Sequence, residues 1–479
     1  MALSLTPAGD PAAAGTPTRI VTGPQQTVLG PSGNIDSLYA TVRDSKGLHA
    51  YMSNAQTIWY DQLPDGTLTH PRVILRVGAK GSPDQCGVHP VGAVYKATAT
   101  HWVTFYHGEQ ANPHQYGGNC YLGPGKRNYT RWSIIQMQTF DAGRTWHKGG
   151  RVITQDSELS SWNTNPPPAS NRDDVGSPRL VIHGDHLYLF YRAMNRQSRN
   201  VWQMSVARAT MASLGKPGAW KKYFAPQPTL LNPHPKASFS QPGLGGQQSA
   251  IQGLPATARG ISWNSYLGSY ISVRASQDGI RLYRSEGTDF TRWKPLKQIV
   301  PSYGTASPFG KACIPEKTPS FPVAVGYGAT IGWTGSSTAT GRRFWVYYMI
   351  KPKGKCFSER YLVRRQVALD ENLATYPKPR VSTGDVTYKV SFSAPHKKVS
   401  RHRWTVKSKL TRNGKPWSHR KVTVQANRRS RWVVADQLRS SARGVVTLRG
   451  KAKGRYRFHV AKSGDYPAAT SRKFKTPRR

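Results

Sequence analysis

The chain has 479 residues, of which 37% are hydrophobic, and it contains 45 Gly, 35 Pro, 14 Trp, 23 Tyr and 13 Phe. Its formal charge is +46, which favours anionic partners but defines no fold. No apolar run approaches the roughly 18 residues that span a bilayer, so we expect no transmembrane segment. Short apolar runs between Gly, Pro and aromatic residues favour many short strands joined by turns, and therefore an all-β protein.

Residues 1–30 are predicted to form a flexible N-terminal segment. The run MALSLTPAGDPAAAGTP has an Ala-rich tail of the kind that precedes a signal-peptide cleavage site, but it lacks a basic start and an adequate apolar stretch. One interpretation is a signal peptide whose front end is missing from the assigned start. Secretion is therefore inferred from the cysteines and the predicted architecture, and not from a targeting signal.

Residues 31–375 repeat a pattern of strand runs that end in a turn and a Trp. The pattern recurs in MQTFDAGRTW, ARATMASLGKPGAW and YRSEGTDFTRW, and a looser version, SVRASQDGIRLY, ends in Tyr. Five four-stranded units fit this length, which is the sequence signature of a five-bladed β-propeller. The predicted units span 34–75, 86–152, 173–225, 258–300 and 321–372.

The turn TFDAGRTW contains Thr139, Asp141, Gly143 and Trp146. A short carboxylate in such a turn accepts hydrogen bonds from turn amides, Gly143 supplies a backbone conformation that other residues avoid, and Trp146 packs the hairpin onto its sheet. The pattern Ser/Thr-x-Asp-x-Gly-x-Thr-Trp resembles the Asp-box of sialidases and other propellers. The resemblance implies a structural role for Asp141, so the box indicates the fold and not the chemistry.

Four cysteines lie in two local pairs within this region, Cys86 with Cys120 and Cys313 with Cys356. We expect two disulfides that close long loops in an oxidising compartment, and the alternative is buried free thiols. The sequence has no CxxC motif and no histidine cluster at zinc spacing, so we expect no metal and no cofactor.

After residue 376 the connector YPKPRVSTGD leads into runs that alternate apolar and basic residues. Period-two alternation predicts half-buried strands with a charged outer face, and seven such strands over 381–475 match a small β-sandwich. From Arg380 to the end the net charge is +25. NGKPWSHRKVTVQ and GRYRFHVAKSGDYPAATS resemble the immunoglobulin-like modules of secreted actinobacterial proteins. The expected partner of this basic domain is an anionic cell-wall polymer or an acidic polysaccharide.

A propeller binds ligands at the mouth of its central channel, where the inner strand of each unit begins. Asp36 opens the first inner strand, Asp174 opens the third, and Glu109 ends an apolar strand of the second unit. Hydrolysis of a glycosidic bond needs two carboxyl groups, one protonated and one ionised, and a third acid can tune the proton donor. These three acids are therefore the predicted catalytic residues.

The runs DDVGSPRLVIHGDHLYLFYRAM, WVTFYHGE and RRFWVYYMI resemble the five-bladed glycosidase propellers, the group that holds arabinanases, xylosidases and invertases. The resemblance implies a glycoside hydrolase in which Asp36 is the base, Glu109 is the acid and Asp174 tunes the acid. The chain departs from that group where the second inner strand opens with His89, and where the third carries an Asp instead of a Glu. The candidate substrate-binding residues are His89, His107, Arg179, Arg259 and Trp263.

The predicted function is that of a secreted, monomeric, glycoside hydrolase-like protein that acts on or binds a poly- or oligosaccharide and associates with the cell surface through its basic domain. The alternative is a non-catalytic carbohydrate- or cell-surface-binding protein. A sialidase is a weaker alternative, because that family has Arg-Ile-Pro ahead of its first blade and here Arg19 and Ile20 are followed by Val21. Specific nucleic-acid binding is not expected, since no recognition motif accompanies the basic residues.

Overall fold

The chain is all-β, as its composition predicts, and it divides into two compact units, residues 1–385 (unit 1) and 386–479 (unit 2). In the described ranges the helical structure is a single 3-10 turn, Met211–Ser213, and none of it is long and apolar enough to cross a membrane. The computed structural model describes residues 16–32, 39–53, 56–76, 87–89, 93–110, 131–156, 175–194, 202–226, 236–276, 279–301, 323–324, 329–333, 335–351, 359–379, 381, 390–400, 403–412, 415–428, 430–449, 454–462 and 468–476. The four cysteines of the predicted disulfides lie outside these ranges: Cys86, Cys120, Cys313 and Cys356.

The described part of unit 1 contains 25 strands. They are β1 (Ile20–Thr22), β2 (Gln26–Ser32), β3 (Ala40–Asp44), β4 (Gly47–Ser53), β5 (Gln56–Gln62), β6 (Leu68–Arg76), β7 (Gly87–His89), β8 (Tyr95–Lys96), β9 (Trp102–Gln110), β10 (Arg131–Thr139), β11 (His147–Ile153), β12 (Gly176–His183), β13 (His186–Met194), β14 (Trp202–Thr210), β15 (Lys221–Phe224), β16 (Ser238–Pro242), β17 (Ala258–Asn264), β18 (Ser269–Ser276), β19 (Gly279–Glu286), β20 (Asp289–Val300), β21 (Val323–Ala324), β22 (Ala329–Gly332), β23 (Ala339–Thr340), β24 (Arg343–Lys351) and β25 (Arg360–Leu369).

These strands form five sheets that follow one another along the chain. The first four consist of β3–β6, β7–β11, β12–β16 and β17–β20, and the fifth contains β21, β22, β24 and β25 together with β1 and β2. The short strand β23 joins the edge of the fourth sheet by pairing with β17, and this is the one parallel pairing between the described strands. The sheets lie along the chain at the positions of the predicted repeat units.

Strand β13 shows why neighbouring sheets stack face to face. Its side chains alternate between two apolar clusters, because successive residues of a strand point to opposite faces. Leu187, Leu189 and Tyr191 pack in a cluster shared with the second sheet, whereas Tyr188 and Phe190 pack in a cluster shared with the fourth. A sheet that is covered on both faces needs a continuous apolar run, here HLYLFYRAM. Each large side chain so buried contributes about 1.5–3 kcal/mol to holding the sheets together.

The five sheets contact one another in a closed cyclic order. β7 contacts β4 and β5, β12 contacts β9 and β10, β17 contacts β12, and β22 contacts both β17 and β3. Where the fifth sheet meets the first, the Thr41 amide donates to the Ser337 hydroxyl at 2.6 Å, and the rings of Tyr39 and Tyr347 stack 4.2 Å apart. An open sandwich has no such closing contact, so unit 1 has a propeller-type arrangement.

Strands β1 and β2 come from the segment predicted to be flexible, and that prediction is wrong for residues 20–30. Ile20 pairs with Leu369, and Gln26 pairs with Arg364, both in β25. Without these partners β25 would present an unpaired edge, and the amino-terminal residues fill its hydrogen bonds. The fifth sheet is therefore built from both ends of unit 1.

Unit 2 is a pair of sheets that share one apolar core. One sheet contains β26–β29 and β32, and the other contains β30, β31 and β33–β35. Trp404 and Val406 of the first sheet and Val424 and Phe458 of the second pack together, as the period-two alternation of the sequence predicts. The strands are β26 (Val390–Phe392), β27 (His396–Ser400), β28 (Arg403–Arg412), β29 (Lys415–Pro416), β30 (Lys421–Arg428), β31 (Arg431–Arg439), β32 (Val445–Arg449), β33 (Gly454–Val460), β34 (Ala469–Thr470) and β35 (Phe474–Thr476).

Candidate functional site

One end of unit 1, which we call the mouth end, is where β9 and β13 finish and where β10, β12 and β14 begin. Glu109, one of the three predicted catalytic acids, lies in β9 at this end, and its backbone is opposite Gly87 of β7 and Trp132 of β10. Asp36 and Asp174 lie outside the described residues. The convergence of the three acids therefore stays a prediction.

The two predicted histidines are paired residues on neighbouring strands. His89 of β7 pairs with His107 of β9. The His107 side chain is buried, and its ring centroid lies 4.2 Å from that of Trp132. A Cβ atom on Gly176 would lie 3.0 Å from His107 Cε1, so the glycine at the start of β12 allows the third sheet to approach the second closely. His107 therefore lies at the junction of two sheets, at the mouth end.

The guanidinium of Arg192 contacts two indole rings, one of which, Trp132, also packs against His107. Its Cζ atom is 4.1 Å from the ring centroid of Trp202 and 5.3 Å from that of Trp132. The two rings are 6.3 Å apart at an interplanar angle of 24°. The backbone of Arg192 in β13 pairs with that of Gly176 at the start of β12, and this pairing places Arg192 at the mouth end. We call His107, Trp132, Gly176, Arg192 and Trp202 the mouth cluster.

The mouth cluster combines a cation, a titratable imidazole and two aromatic faces. Guanidinium groups gain about 0.5–2 kcal/mol from stacking on aromatic rings, and more when water is excluded. Aromatic faces are also the surfaces on which apolar faces of ligands stack. The arrangement is therefore suited to binding, whereas acid–base chemistry would need the predicted carboxyl groups in addition.

Arg179 and Arg259 lie near the starts of β12 and β17, where both sheets have a bulge. Both side chains are almost fully buried. The Arg179 Nη1 atom donates to the Ser177 carbonyl, and the Arg259 Nη1 atom donates to the Ala256 carbonyl at 2.9 Å. Each guanidinium therefore ties down the backbone beside its own strand, so contact with a substrate stays a prediction for both.

Trp263, also predicted to bind substrate, lies towards the opposite end of β17. Four residues separate it from Arg259, which in a strand corresponds to about 13 Å. Its ring packs edge-on against Tyr270 at 5.1 Å, within the apolar cluster between the third and fourth sheets. The described contacts of Trp263 lie at an interface between sheets, away from the mouth end, so its contact with a substrate stays a prediction.

The TFDAGRTW turn joins β10 to β11 at the end opposite the mouth. The Thr145 hydroxyl and amide donate to Asp141 at 2.7 and 2.8 Å, and the Thr139 hydroxyl donates to it at 2.7 Å. Burial alone would raise the pKa of Asp141, but these hydrogen bonds outweigh it and lower the pKa to about 2. Gly143 has φ +78° and contacts the ring of Trp59. This network has the form that the predicted structural role of Asp141 requires.

Trp132, Arg192 and Trp202 are absent from the set of residues that the sequence predicts for the site. The sequence does contain a signal for the two tryptophans, because each stands at or next to the first residue of a strand that begins at the mouth end. Arg192 stands between buried Tyr191 and Ala193 in an otherwise apolar strand. The three come together only through the packing of the second sheet on the third, which a single sequence does not reveal.

No group of three or more His, Cys, Asp or Glu residues with the geometry of a metal site occurs among the side chains that the structure describes. The mouth cluster itself contributes one imidazole and no described carboxylate. Its chemistry is that of hydrogen-bond donors and ring faces.

No protein-family model matches this chain, and neither does any curated protein. Among solved structures, it is similar to an alpha-L-arabinofuranosidase from Lactobacillus brevis, at 10% identity over 70% of this chain and 90% of that chain, with a TM-score of 0.38. It is similar to sucrose-6-phosphate hydrolase from Lactobacillus gasseri, at 8% identity over 95% and 82% of the two chains, with a TM-score of 0.41. A xylan beta-1,4-xylosidase from Bacillus halodurans C-125 gives 9% identity over 94% and 92%, with a TM-score of 0.38. At this level of likeness the fold assignment rests on the strand pairings and sheet contacts described above.

Proposed function

We propose that the protein is a five-bladed β-propeller of the glycoside hydrolase kind, followed by an immunoglobulin-like module, and that it acts on or binds a poly- or oligosaccharide at the mouth end. The observation that carries this proposal is the closed cyclic order of the five sheets in unit 1. A closed ring brings strand ends that are far apart in the chain around one axis. It thereby supplies the concave setting in which distant acids can flank one sugar.

In this proposal Glu109 protonates the leaving group, Asp36 activates water or attacks the anomeric carbon, and Asp174 tunes the proton donor. Glu109 lies in the strand that also carries His107, and its backbone pairs with that of Trp132. It therefore lies at the same end of the sheet as the mouth cluster. In sequence, Asp174 and Val175 directly precede Gly176 of that cluster. Both neighbourhoods support a role for these acids at a common site.

Two conservative substitutions test the hydrolase. In the full chain, Glu109→Gln and Asp174→Asn should each lower kcat on a hydrolysed glycan by orders of magnitude, while the affinity for that glycan stays close to that of the wild type. Asp141→Asn is the matched control, because its hydrogen bonds lie within the turn at the opposite end. Unchanged turnover in both mouth variants would contradict the assignment of the acids.

A non-catalytic carbohydrate-binding protein is the second candidate, and the composition of the mouth cluster favours it. The cluster offers stacking surfaces and donors but no described carboxylate. Such a protein binds glycans and releases no reducing sugar from them, with the wild-type chain as well as with the variants. The Asp-box-like turn alone does not favour a sialidase, since its residues hydrogen-bond to one another and lie away from the mouth end.

For unit 2 we propose attachment to an anionic polymer through the outer face of β30, β31, β33 and β35. Arg455 and Lys475 are exposed on this face, and Arg457 stacks on Trp432 at 4.2 Å. Lys473 lies 6.0 Å from the same ring. A sheet face with basic side chains around one aromatic ring concentrates polyanions and can order them.

We further propose that the protein is secreted and monomeric, with the disulfides Cys86–Cys120 and Cys313–Cys356. Peptide mapping of the unreduced protein would detect these disulfides.

A further inference from the structure

Two buried hydrogen-bond donors of the mouth cluster have no acceptor in the part of the chain that the structure describes. They are the Nε1 atom of Trp132 and the Nε atom of Arg192. An indole N–H and a guanidinium can only donate, so each needs an oxygen from elsewhere. A buried donor without an acceptor costs about 1–3 kcal/mol, which makes two of them in one cluster a feature that requires an explanation.

The charge of Arg192 has no described counterion. Its described contacts are the faces of Trp132 and Trp202, and it forms no ion pair with a described carboxylate. The ring of His107, in β9, packs against Trp132. The two indole rings cover part of the guanidinium surface and exclude water from it, and the guanidinium can still form in-plane hydrogen bonds through its N–H groups. A rigid, partly dehydrated guanidinium edge is a strong recognition element for a planar or tetrahedral oxyanion.

We infer that Arg192, with the indole N–H of Trp132, forms a subsite for an anionic group on the glycan, a uronate carboxylate or a sulfate ester. The inference rests on the proposed function, because it names the class of glycan that the mouth end accepts. The oxyanion supplies the acceptors and the negative charge that the described residues do not give to these two side chains. Sugar rings that carry the anion can stack on indole faces at the rim of the mouth cluster.

The test compares the full wild-type chain with Arg192→Gln on an array of matched oligosaccharides: neutral, uronate-containing and sulfated versions of the same backbones. The wild type should prefer the acidic versions. Arg192→Gln should weaken acidic binding by roughly 10- to 100-fold, the effect of losing a hydrogen bond to a charged group, and should thereby remove the preference for acidic over neutral versions. Preference for carboxylate over sulfate, or the reverse, identifies the source of the anion.

Arg208→Gln is the matched control, because Arg208 is stacked on Phe239 at 4.7 Å near the other end of the same sheet. It should leave all glycan binding unchanged. Arg192→Lys keeps the charge without the planar edge and should recover only part of the affinity. The melting temperature of each variant shows that it is folded.

Equal binding of neutral and acidic versions, or equal acidic binding by wild type and a folded Arg192→Gln, would overturn the anionic subsite while the mouth end remained a glycan site. Binding of no oligosaccharide of any kind would overturn the proposed function and the subsite together. If the preference for acidic glycans is lost in Arg208→Gln as well as in Arg192→Gln, the preference is due to the net charge of the surface. This result would also overturn the subsite.

Discussion

At the scale of single residues, Lys222 of β15 shows how this basic chain buries a cation. The side chain has no exposed surface, and its Nζ atom donates to the Thr154 and Gly246 carbonyls at 2.7 and 2.6 Å and to the Gln248 side-chain carbonyl at 2.8 Å. Burial lowers the pKa of Lys222 to about 7, although the charge of Asp156 partly opposes this. The three acceptors tie the end of the second sheet to the loop that follows β16.

This buried lysine predicts a pH-dependent stability. An unfolded lysine has a pKa of about 10.4, so between about pH 7 and pH 10 the folded state holds fewer protons and the free energy of unfolding rises with pH. Relative to Lys222→Met, the wild type should gain up to about 1.4 kcal/mol per pH unit above pH 7, measured by chemical denaturation. Lys221→Met, at an exposed neighbour, is the control. Parallel pH profiles of wild type and Lys222→Met would contradict this prediction.

The same scale separates what a sequence reveals about a site from what it hides. The strand positions of Glu109, His89 and His107 can be predicted from apolar runs, and these residues lie on paired strands, whereas their role at a site stays a prediction. The role of Trp263 cannot be read from its position, since an aromatic in a strand has the same sequence context whether it faces a ligand or a neighbouring sheet. Arg192 was missed because its partners belong to two different sheets.

At the scale of elements, the turn between β10 and β11 joins a local conformation to the packing of two sheets. Gly143 has φ +78°, which favours glycine, and a Cβ atom there would lie 3.0 Å from Trp59 and 3.2 Å from Trp102. The turn therefore holds the second sheet against the first through both its backbone and the two indole rings.

Gly143→Ala should lower the free energy of unfolding by roughly 1–3 kcal/mol, because backbone strain adds to the clash with the two rings. Gly184→Ala is the matched control. Gly184 also has a positive φ, +55°, but nothing lies within 4 Å of its Cβ position. In this variant only backbone strain lowers the free energy of unfolding. Both are measured by thermal and chemical unfolding. An equal loss in the two variants would contradict the role of the packing contact.

The pairing of β1 and β2 with β25 predicts the effect of shortening the amino terminus. Compared with a chain that lacks residues 1–15, a chain that lacks residues 1–32 should have a lower melting temperature and should expose the edge of β25 to aggregation. Light scattering and calorimetry measure both effects. A stable, monodisperse protein without residues 1–32 would contradict the closure of the fifth sheet by the amino-terminal strands.

The repeat of strand runs predicted the positions of the sheets well, since each sheet is a local series of hairpins with turn residues between apolar runs. The closing strands were not predicted. Their short runs, RIVTG and QQTVLG, carry little apolar signal, and their partner β25 lies at the far end of unit 1. Pairings over such a distance in the chain leave no local pattern to recognise.

At the scale of the whole molecule, positive charge is concentrated in unit 2, which carries +25 of the total formal charge of +46. If the outer face of β33 and β35 binds polyanions, Arg455→Gln with Arg457→Gln should weaken binding to heparin several-fold and flatten its salt dependence. Lys407→Gln with Lys409→Gln removes the same charge from the other sheet and is the control. Equal losses in the two double variants would show that net charge alone decides the affinity.

For unit 1, the central claim is that a closed ring of five sheets brings acids from distant parts of the chain around one mouth. The distances between the carboxyl groups of Asp36, Glu109 and Asp174 in a crystal structure test it most directly. We predict separations of about 5–10 Å around a shared cleft, as paired-acid hydrolysis requires. Carboxyl groups scattered more widely, or pointing away from a common hollow, would contradict the claim.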